Sequence, residues 1–227
     1  MFIPKDTFTL DEAITLVTED IRLQKESIDS KHPLPQAWGN VPAECGKTKC
    51  RSMEQYALML SALVDGNHSQ CGGDVVEIGT DYCLSTFAMS HGIRRYEKVR
   101  VFSFDNRARI TASAQKRAEM LGASNITFVH GTSNDLATGK YGTQFSLAYI
   151  DGGHLYEDCL TDLKNVIPLM HENGLIVCHD LFFIPKPGNN GVREAILEAI
   201  KQNPEWVAAR VGGFGLLGKS VATKRLR

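Results

Sequence analysis

Residues 74–86 read DVVEIGTDYCLST, and this stretch decides the fold. Asp74–Ile78 is short, β-branched and almost wholly apolar, the pattern of a strand buried on both faces. Gly79 breaks it, and Cys83–His91 then reads as a helix. Downstream the same alternation continues. Val99–Phe104 (VRVFSF) reads as a strand, and Arg107–Leu121 as a helix with Ile110, Ala114, Ala118 and Leu121 inward. Ile126–His130 and Phe145–Ile150 read as strands. Leu155–Ile167 is an amphipathic helix punctuated by Pro168 and Gly174, and Leu175–Cys178 (LIVC) is a buried strand. Val192, Ala195, Ile196, Ala199 and Ile200 mark one more helix. Trp206–Val211 and Phe214–Gly218 flank Gly212 and Gly213, a hairpin signal. Five strands joined by helical crossovers imply an α/β fold: a doubly wound, mostly parallel sheet with helices on both faces. The hairpin brings the count to seven strands and adds an antiparallel one.

Upstream, Thr9-x-x-Glu12 is a capping-box pattern, with Leu10, Ile14, Val17 and Ile21 on one helical face. Ser52-x-x-Gln55 is a second such box. It opens a helix with Met53, Tyr56, Ala57, Leu60, Leu63 and Val64 on one side. Between the two helices, residues 29–51 hold Pro33, Pro35, Pro42, Trp38 and Gly39. That composition fits a lid over a site or a plain linker. The expected organisation is N-terminal helices and lid over 1–70 and the α/β domain over 71–227.

The 227 residues suit one domain with an extension. With 43% apolar and 22% charged residues, a disordered chain, a collagen and a coiled coil are excluded. Lys plus Arg number 25 against 26 acids, so no basic excess points to nucleic acid as the partner. YALML and LIVC are among the longest apolar runs, far short of the ~18 residues of a membrane span. Lys5 and Asp6 interrupt the N-terminus before a secretory core forms, so a cytoplasmic protein is expected. Cys45, Cys50, Cys71, Cys83, Cys159 and Cys178 include no C-x-x-C, which fits free thiols rather than a zinc ribbon.

In an open α/β sheet, ligands bind beyond the carboxyl ends of the strands. Those ends carry Glu77-Ile78-Gly79-Thr80-Asp81, Asp105-Asn106, His130-Gly131-Thr132-Ser133, Asp151-Gly152-Gly153-His154 and His179-Asp180. Acids, glycines and histidines at five strand ends are not what a purely structural sheet requires. The first turn is not a dinucleotide fingerprint, because the spacing G-x-G-x-x-G fails after Gly79 and Asp81 would repel a pyrophosphate. A cationic ligand with an amino-acid end fits better. Glu77 can attract an ammonium, and amides and hydroxyls near Thr80, Ser85 and Thr86 can hold a carboxylate. Asp105, 28 residues after Glu77, can accept two hydrogen bonds from a ribose diol.

On these residues the stretch from about Asp74 to Lys219 resembles a class I S-adenosylmethionine-dependent methyltransferase of the small-molecule O-methyltransferase-like group. The resemblance rests on an E-x-G-x-x-x-G-x-S-T loop at Glu77, Gly79, Ser85 and Thr86, and on D-G-x-H-x-Y-E. The latter reads Asp151-Gly152-Gly153-His154-Leu155-Tyr156-Glu157 and is followed by LIVCHD at 175–180. The second loop glycine falls on Cys83, which would crowd the methionine end of the cofactor. The resemblance implies a Rossmann-like sheet of seven strands with the last antiparallel, and S-adenosylmethionine as cofactor. By position, Glu77, Gly79 and Ser85 would line the methionine end, with Thr80 beside them. Asp105 and Asn106 would meet the ribose, and Gly131, Thr132 and Ser133 would border the adenine.

Methyl transfer needs a proton acceptor, and His154, three residues after Asp151 at the mouth of the fourth strand, is the candidate general base. Asp151 and Asp180 end adjacent strands and could share a divalent cation such as magnesium. Leu181, where the metal-dependent relatives place a third ligand, offers none. His179 is expected on the opposite side from Asp180, because strand side chains alternate. Trp38, Phe182 and Phe183 are candidates to contact a small-molecule acceptor, and the chain could pair as a homodimer. His32, His68, His91 and His171 read as surface positions. Three alternatives stay open: elimination or ring closure on the same cofactor, a non-catalytic S-adenosylmethionine binder that needs no His154, and a metal hydrolase built from Asp151, His154, His179 and Asp180.

Overall fold

Val75, Val76, Glu77 and Ile78 are all buried, as a central strand covered on both faces must be. This strand, β1 (Val75–Ile78), pairs in parallel with β2 (Val101–Asp105) on one side and β4 (Phe145–Ile150) on the other. β3 (Ile126–His130) extends the β2 edge, and β5 (Met170–Cys178) extends the β4 edge. β7 (Phe214–Lys219) runs antiparallel to both β5 and the edge strand β6 (Trp206–Val211). The sheet order is β3-β2-β1-β4-β5-β7-β6, the expected seven strands with the last one reversed. The computed structural model describes residues 8–28, 51–182 and 191–220.

Helices cover both faces. On one face lie α1 (Leu10–Ile28), α2 (Arg51–Cys71), α3 (Leu84–Ile93) and α4 (Ala108–Leu121). Ile14 and Val17 of α1, Ala57, Leu60 and Val64 of α2, and Phe87 of α3 share one core with Val75, Leu147 and Val177 of the sheet. The other face carries α5 (Tyr156–Val166) and α6 (Val192–Gln202), packed over Val76, Ile78 and Ile176. The Thr9–Glu12 box forms: the Thr9 amide donates to Glu12 Oε2 at 2.6 Å, and the Glu12 amide donates to Thr9 Oγ1 at 3.2 Å. Helix α2 begins at Arg51, so neither Arg51 nor the predicted cap Ser52 stands outside it. The rest of the lid candidate, including His32 and Trp38, lies outside the described residues.

Two local departures matter for the site. β5 starts five residues earlier than its apolar core suggests, because Met170 already pairs with Phe145 and the polar run His171–Gly174 falls in the register shift between Phe145 and Leu147. After β3 the chain makes a short 3-10 turn, Ser133–Thr138, that apolar periodicity does not reveal. Thr132 caps it, with its amide donating to Asp135 Oδ2 at 2.8 Å. His68 is a correction to the surface reading. It is 8% exposed, its Nδ1 lies 2.9 Å from the Gly73 carbonyl, and its ring lies 4.2 Å from that of Tyr96.

Candidate active site

Strand order reverses at β1, since the chain runs outward to β3 and then returns to β4. The crevice opens at such a point. Gly79 makes the crossing possible. It has φ +98°, and a Cβ there would fall 2.2 Å from the Asp151 carbonyl oxygen, so only glycine lets the β1 exit pass the β4 exit. The result is a cleft of about 730 Å³. Of the sequence-predicted residues, Gly79, Asp105, Asn106, Gly131, Thr132, Ser133, Asp151, His154 and Asp180 line it, and so does His179. Sequence reasoning missed several of its walls, notably Tyr82, Arg107 and Asp162.

Three predicted contact residues are set back from the cleft surface. Glu77, Thr80 and Ser85 do not line the cleft. Glu77 sits in the middle of the central strand and is fully buried. Its Oε2 accepts from Thr86 Oγ1 and Ser103 Oγ, each at 2.5 Å, while Oε1 has no partner. Burial pushes its carboxyl up to about 7, against the pull of the Ser103, Ser85 and Thr86 hydroxyls. Glu77 therefore braces the β1–α3 loop from behind. Thr80 is 2% exposed, and its hydroxyl hydrogen-bonds Ser103 at 2.7 Å. Cys83 does not crowd the cleft either. It keeps the left-handed backbone of the glycine it replaces, φ 70°, but is buried in the core, with Arg117 Nη1 3.7 Å from its sulfur.

Asp105 is almost fully enclosed. Its Oδ1 accepts from the Arg107 amide and Nε at 2.9 Å each, and its Oδ2 from Arg107 Nη2 at 2.9 Å. The Thr80 and Asp81 amides reach Oδ2 at 3.3 Å. Burial alone would raise this carboxyl, but the Arg107 hydrogen bonds and charge outweigh it and hold it below the usual carboxylate range.

At the other end of the cleft, two carboxylates meet two imidazoles. His154 Nε2 lies 3.3 Å from Asp151 Oδ1 and 3.5 Å from Asp180 Oδ2. His179 Nδ1 lies 3.1 Å from Asp151 Oδ1 and 3.2 Å from Asp180 Oδ1, with its N–H line aimed at neither. His179 thus stands on the same side as Asp180, against the alternation argument. β5 stops at Cys178, and Asp180 takes a left-handed turn, φ 53°, that brings both side chains inward. The hydrogen bond to Asp151 raises the His154 pKa, against burial. Burial would lower His179, but Asp151 and Asp180 outweigh it and push it up to about 10. Asp151 is held below its ordinary value, because the two imidazoles overcome the effect of burial. From beneath, the Tyr149 hydroxyl donates to Asp151 Oδ2 at 3.4 Å. It also hydrogen-bonds Tyr56, through which α2 reaches the site. Phe182 is 54% exposed beside Arg210 and does not line the cleft, and Phe183 lies outside the described residues.

Residues 76–181, a little under half of the chain, match the family described as "Methyltransferase domain". A search of curated proteins finds no match. Several solved structures share the fold. A candidate O-methyltransferase from Klebsiella pneumoniae superposes with TM-score 0.66 at 15% identity, covering 92% of this chain and 90% of that one. The Streptomyces achromogenes O-methyltransferase TomG, involved in tomaymycin synthesis and solved with S-adenosylmethionine, gives 0.64 at 13%, covering 96% and 92%. A Bacillus cereus O-methyltransferase in complex with S-adenosylhomocysteine gives 0.59 at 18%, covering 90% and 97%. The sheet is that of the Rossmann-like methyltransferases. The matched stretch thus resembles a methyltransferase domain. No helix among the described residues is long and apolar enough to cross a membrane.

Proposed function

We propose that the protein transfers the methyl group of S-adenosylmethionine to a hydroxyl of a small-molecule acceptor, with His154 as general base. The observation that carries this reading is a single cleft with two different ends. A clamped acid, Asp105, stands at one, and the Asp151–His154–His179–Asp180 cluster stands at the other. The O-methyltransferases of similar fold support the choice of oxygen. In this reading Asp105 takes the ribose diol and the turn Gly131–Ser133 borders the adenine. The backbone around Gly79 faces the methionine end. The acceptor oxygen attacks the methyl carbon as the carbon–sulfur bond breaks, and its proton passes to His154. Asp151 and Asp180 stabilise the imidazolium that forms. The charges of Asp151 and Asp180 favour the cationic form of His179, which offsets them.

A second reading has one observation in its favour. Asp151, His154 and Asp180 can each offer a ligand atom, all within 4.8 Å of one another. Two carboxylates and an imidazole suit a transition-metal cation such as manganese better than magnesium, which prefers oxygen ligands alone. Held by these residues, such a cation would make the acceptor hydroxyl more acidic. His154 could not then serve as base. Calorimetric titration with S-adenosylmethionine, S-adenosylhomocysteine and NAD, with and without manganese or magnesium, tests both readings. Micromolar binding of the adenosyl ligands, lost in Asp105→Ala, is expected. No adenosyl binding in any condition would overturn the cofactor reading, and turnover that needs manganese would favour the second.

A further inference from the structure

Two tyrosine hydroxyls lie in an aromatic layer where phenylalanine would pack as well. Tyr149, on β4, is fully buried, and its ring stands edge-on to that of Tyr56 at 6.4 Å. Tyr56, on α2, stacks on Phe214 at 5.9 Å and meets the His179 ring edge-on at 6.0 Å. A hydroxyl in such a place costs free energy unless it is bonded. These two are bonded to each other. The direction of that bond follows from the next one. Tyr149 donates its single proton to Asp151 Oδ2 at 3.4 Å, so Tyr56 is the donor between the two tyrosines. The donors run one way, from α2 through β4 to the carboxylate. They hold the Oδ2 side of Asp151, while two imidazoles gather on Oδ1, His179 Nδ1 at 3.1 Å and His154 Nε2 at 3.3 Å. Without that hold the carboxylate could turn about its Cβ–Cγ bond and carry Oδ1 away from His154.

We infer that Tyr56 is a positioning residue for His154: its hydroxyl fixes that of Tyr149, which fixes the Asp151 carboxylate against the imidazole. The inference rests on the proposed role of His154 as base. Because Asp151 meets His154 at Nε2, a neutral imidazole held this way carries its proton on Nε2 and its lone pair on Nδ1. Nδ1 is then the nitrogen that takes the acceptor's proton. The stretch that matches the methyltransferase family begins at residue 76, so Tyr149 lies within it and Tyr56 does not. Helix α2 thus does more than cover the sheet, since it supplies the first donor of the chain. No proton transfer is assigned to either tyrosine.

The test reads the His154 imidazole directly and needs no ligand. Nitrogen-15 NMR of histidine-labelled protein, at a pH where the imidazole is neutral, follows the His154 Nε2 resonance, assigned by its loss in His154→Ala. Asp151→Asn sets the direction of change for a weakened bond. Tyr149→Phe should move the resonance in that direction. Tyr56→Phe should move it the same way but less, since Tyr149 keeps a proton to offer. The double variant Tyr56→Phe/Tyr149→Phe should move it no further than Tyr149→Phe, because Tyr56 acts only through Tyr149. Phenylalanine keeps both rings, so a purely structural part for Tyr56 predicts an unmoved resonance in Tyr56→Phe, and that result overturns the inference. Additive shifts in the double variant would overturn it too, by showing that Tyr56 acts on the cluster by another route. If Tyr149→Phe fails to fold, Tyr56→Phe decides alone. Failure of the base reading shows elsewhere: turnover unaffected by His154→Ala would remove that role while leaving these shifts in place.

Discussion

The two ends of the cleft use the same residue type in opposite ways. Asp105 is saturated: three Arg107 donors at 2.9 Å and two backbone amides at 3.3 Å aim at its two oxygens. None of those donors gives up a proton near neutral pH. Asp151 faces longer contacts, 3.1 and 3.3 Å to two imidazoles and 3.4 Å to a phenol. Of these, the His154 imidazole is the group whose proton moves in the proposed reaction. In the proposed function Asp105 holds the ligand in one orientation, while Asp151 and Asp180 tune the proton acceptor. Position in the chain produces the contrast. Asp105 is followed at once by a turn that folds Arg107 back on it, whereas Asp151 meets residues from two different strand ends.

The sharpest way to break this comparison is to remove the movable proton. His154→Ala should leave S-adenosylhomocysteine affinity within about twofold and lower kcat by roughly 10²–10⁴, the usual worth of a positioned general base. Rapid-quench or coupled turnover assays would check it. Because His154 works only when neutral and its pKa is raised, the acid limb of the kcat profile should lie above the ordinary histidine value. Asp180→Asn removes one of the charges that raises it and should shift that limb toward lower pH. Unchanged turnover in His154→Ala would mean that this end of the cleft does something other than accept a proton.

The third acid of the sheet, Glu77, sharpens the comparison from a different side, since it faces neither end of the cleft. Unfolded, its carboxyl ionises near 4.5; folded, it keeps its proton to about 7. Between those values the folded protein binds the extra proton. The contribution to stability is therefore full at low pH, declines as pH rises from 4.5 through 7, and is flat beyond. A rise of this size corresponds to on the order of 3 kcal/mol. Glu77→Gln keeps a neutral, hydrogen-bonding side chain and should flatten that slope. Denaturant unfolding of both proteins at about pH 5 and about pH 8 would show wild type losing stability relative to the variant. Parallel behaviour would mean that Glu77 is ionised where it stands.

These cases mark what the sequence can and cannot convey. The limits of β3, β4 and β6 are read correctly because apolar patterning and turn residues agree there. The clustering of acids, glycines and histidines at strand ends was legible because the chain direction in a parallel sheet places all those ends together. What a side chain at such an end faces was not. Glu77 lies one residue before the strand's last position, so it points into the sheet's covering layer rather than the crevice. His179 escapes alternation because the strand has already ended and Asp180 turns left-handed. Cys83 shows that a glycine's backbone conformation can be kept without its glycine, the thiol turning into the core instead of the cleft. Arg107 carried no signal, since a basic residue at the start of a helix is most simply read as solvated.

Arg107 also sets the smallest and most discriminating test. A carboxylate offers about four acceptor sites, and Asp105 already meets five donors, so a ribose diol can bind only where a donor yields. The backbone amides are fixed by the β1–α3 loop, whereas the Arg107 side chain is 48% exposed and free to swing. It also reaches Asp81 at 3.3 Å, a second place to rest once Asp105 is taken. The arginine half of this pair is open to solvent and the diol would replace its hydrogen bonds, so its loss should change affinity only by a few-fold. Arg107→Ala should therefore tighten S-adenosylhomocysteine binding by roughly two- to fivefold, with a faster association rate, because the diol no longer displaces a guanidinium. Weaker binding would assign Arg107 the opposite part, a ligand contact rather than a gatekeeper. Asp105 would then hold its partner together with the arginine, not in place of it.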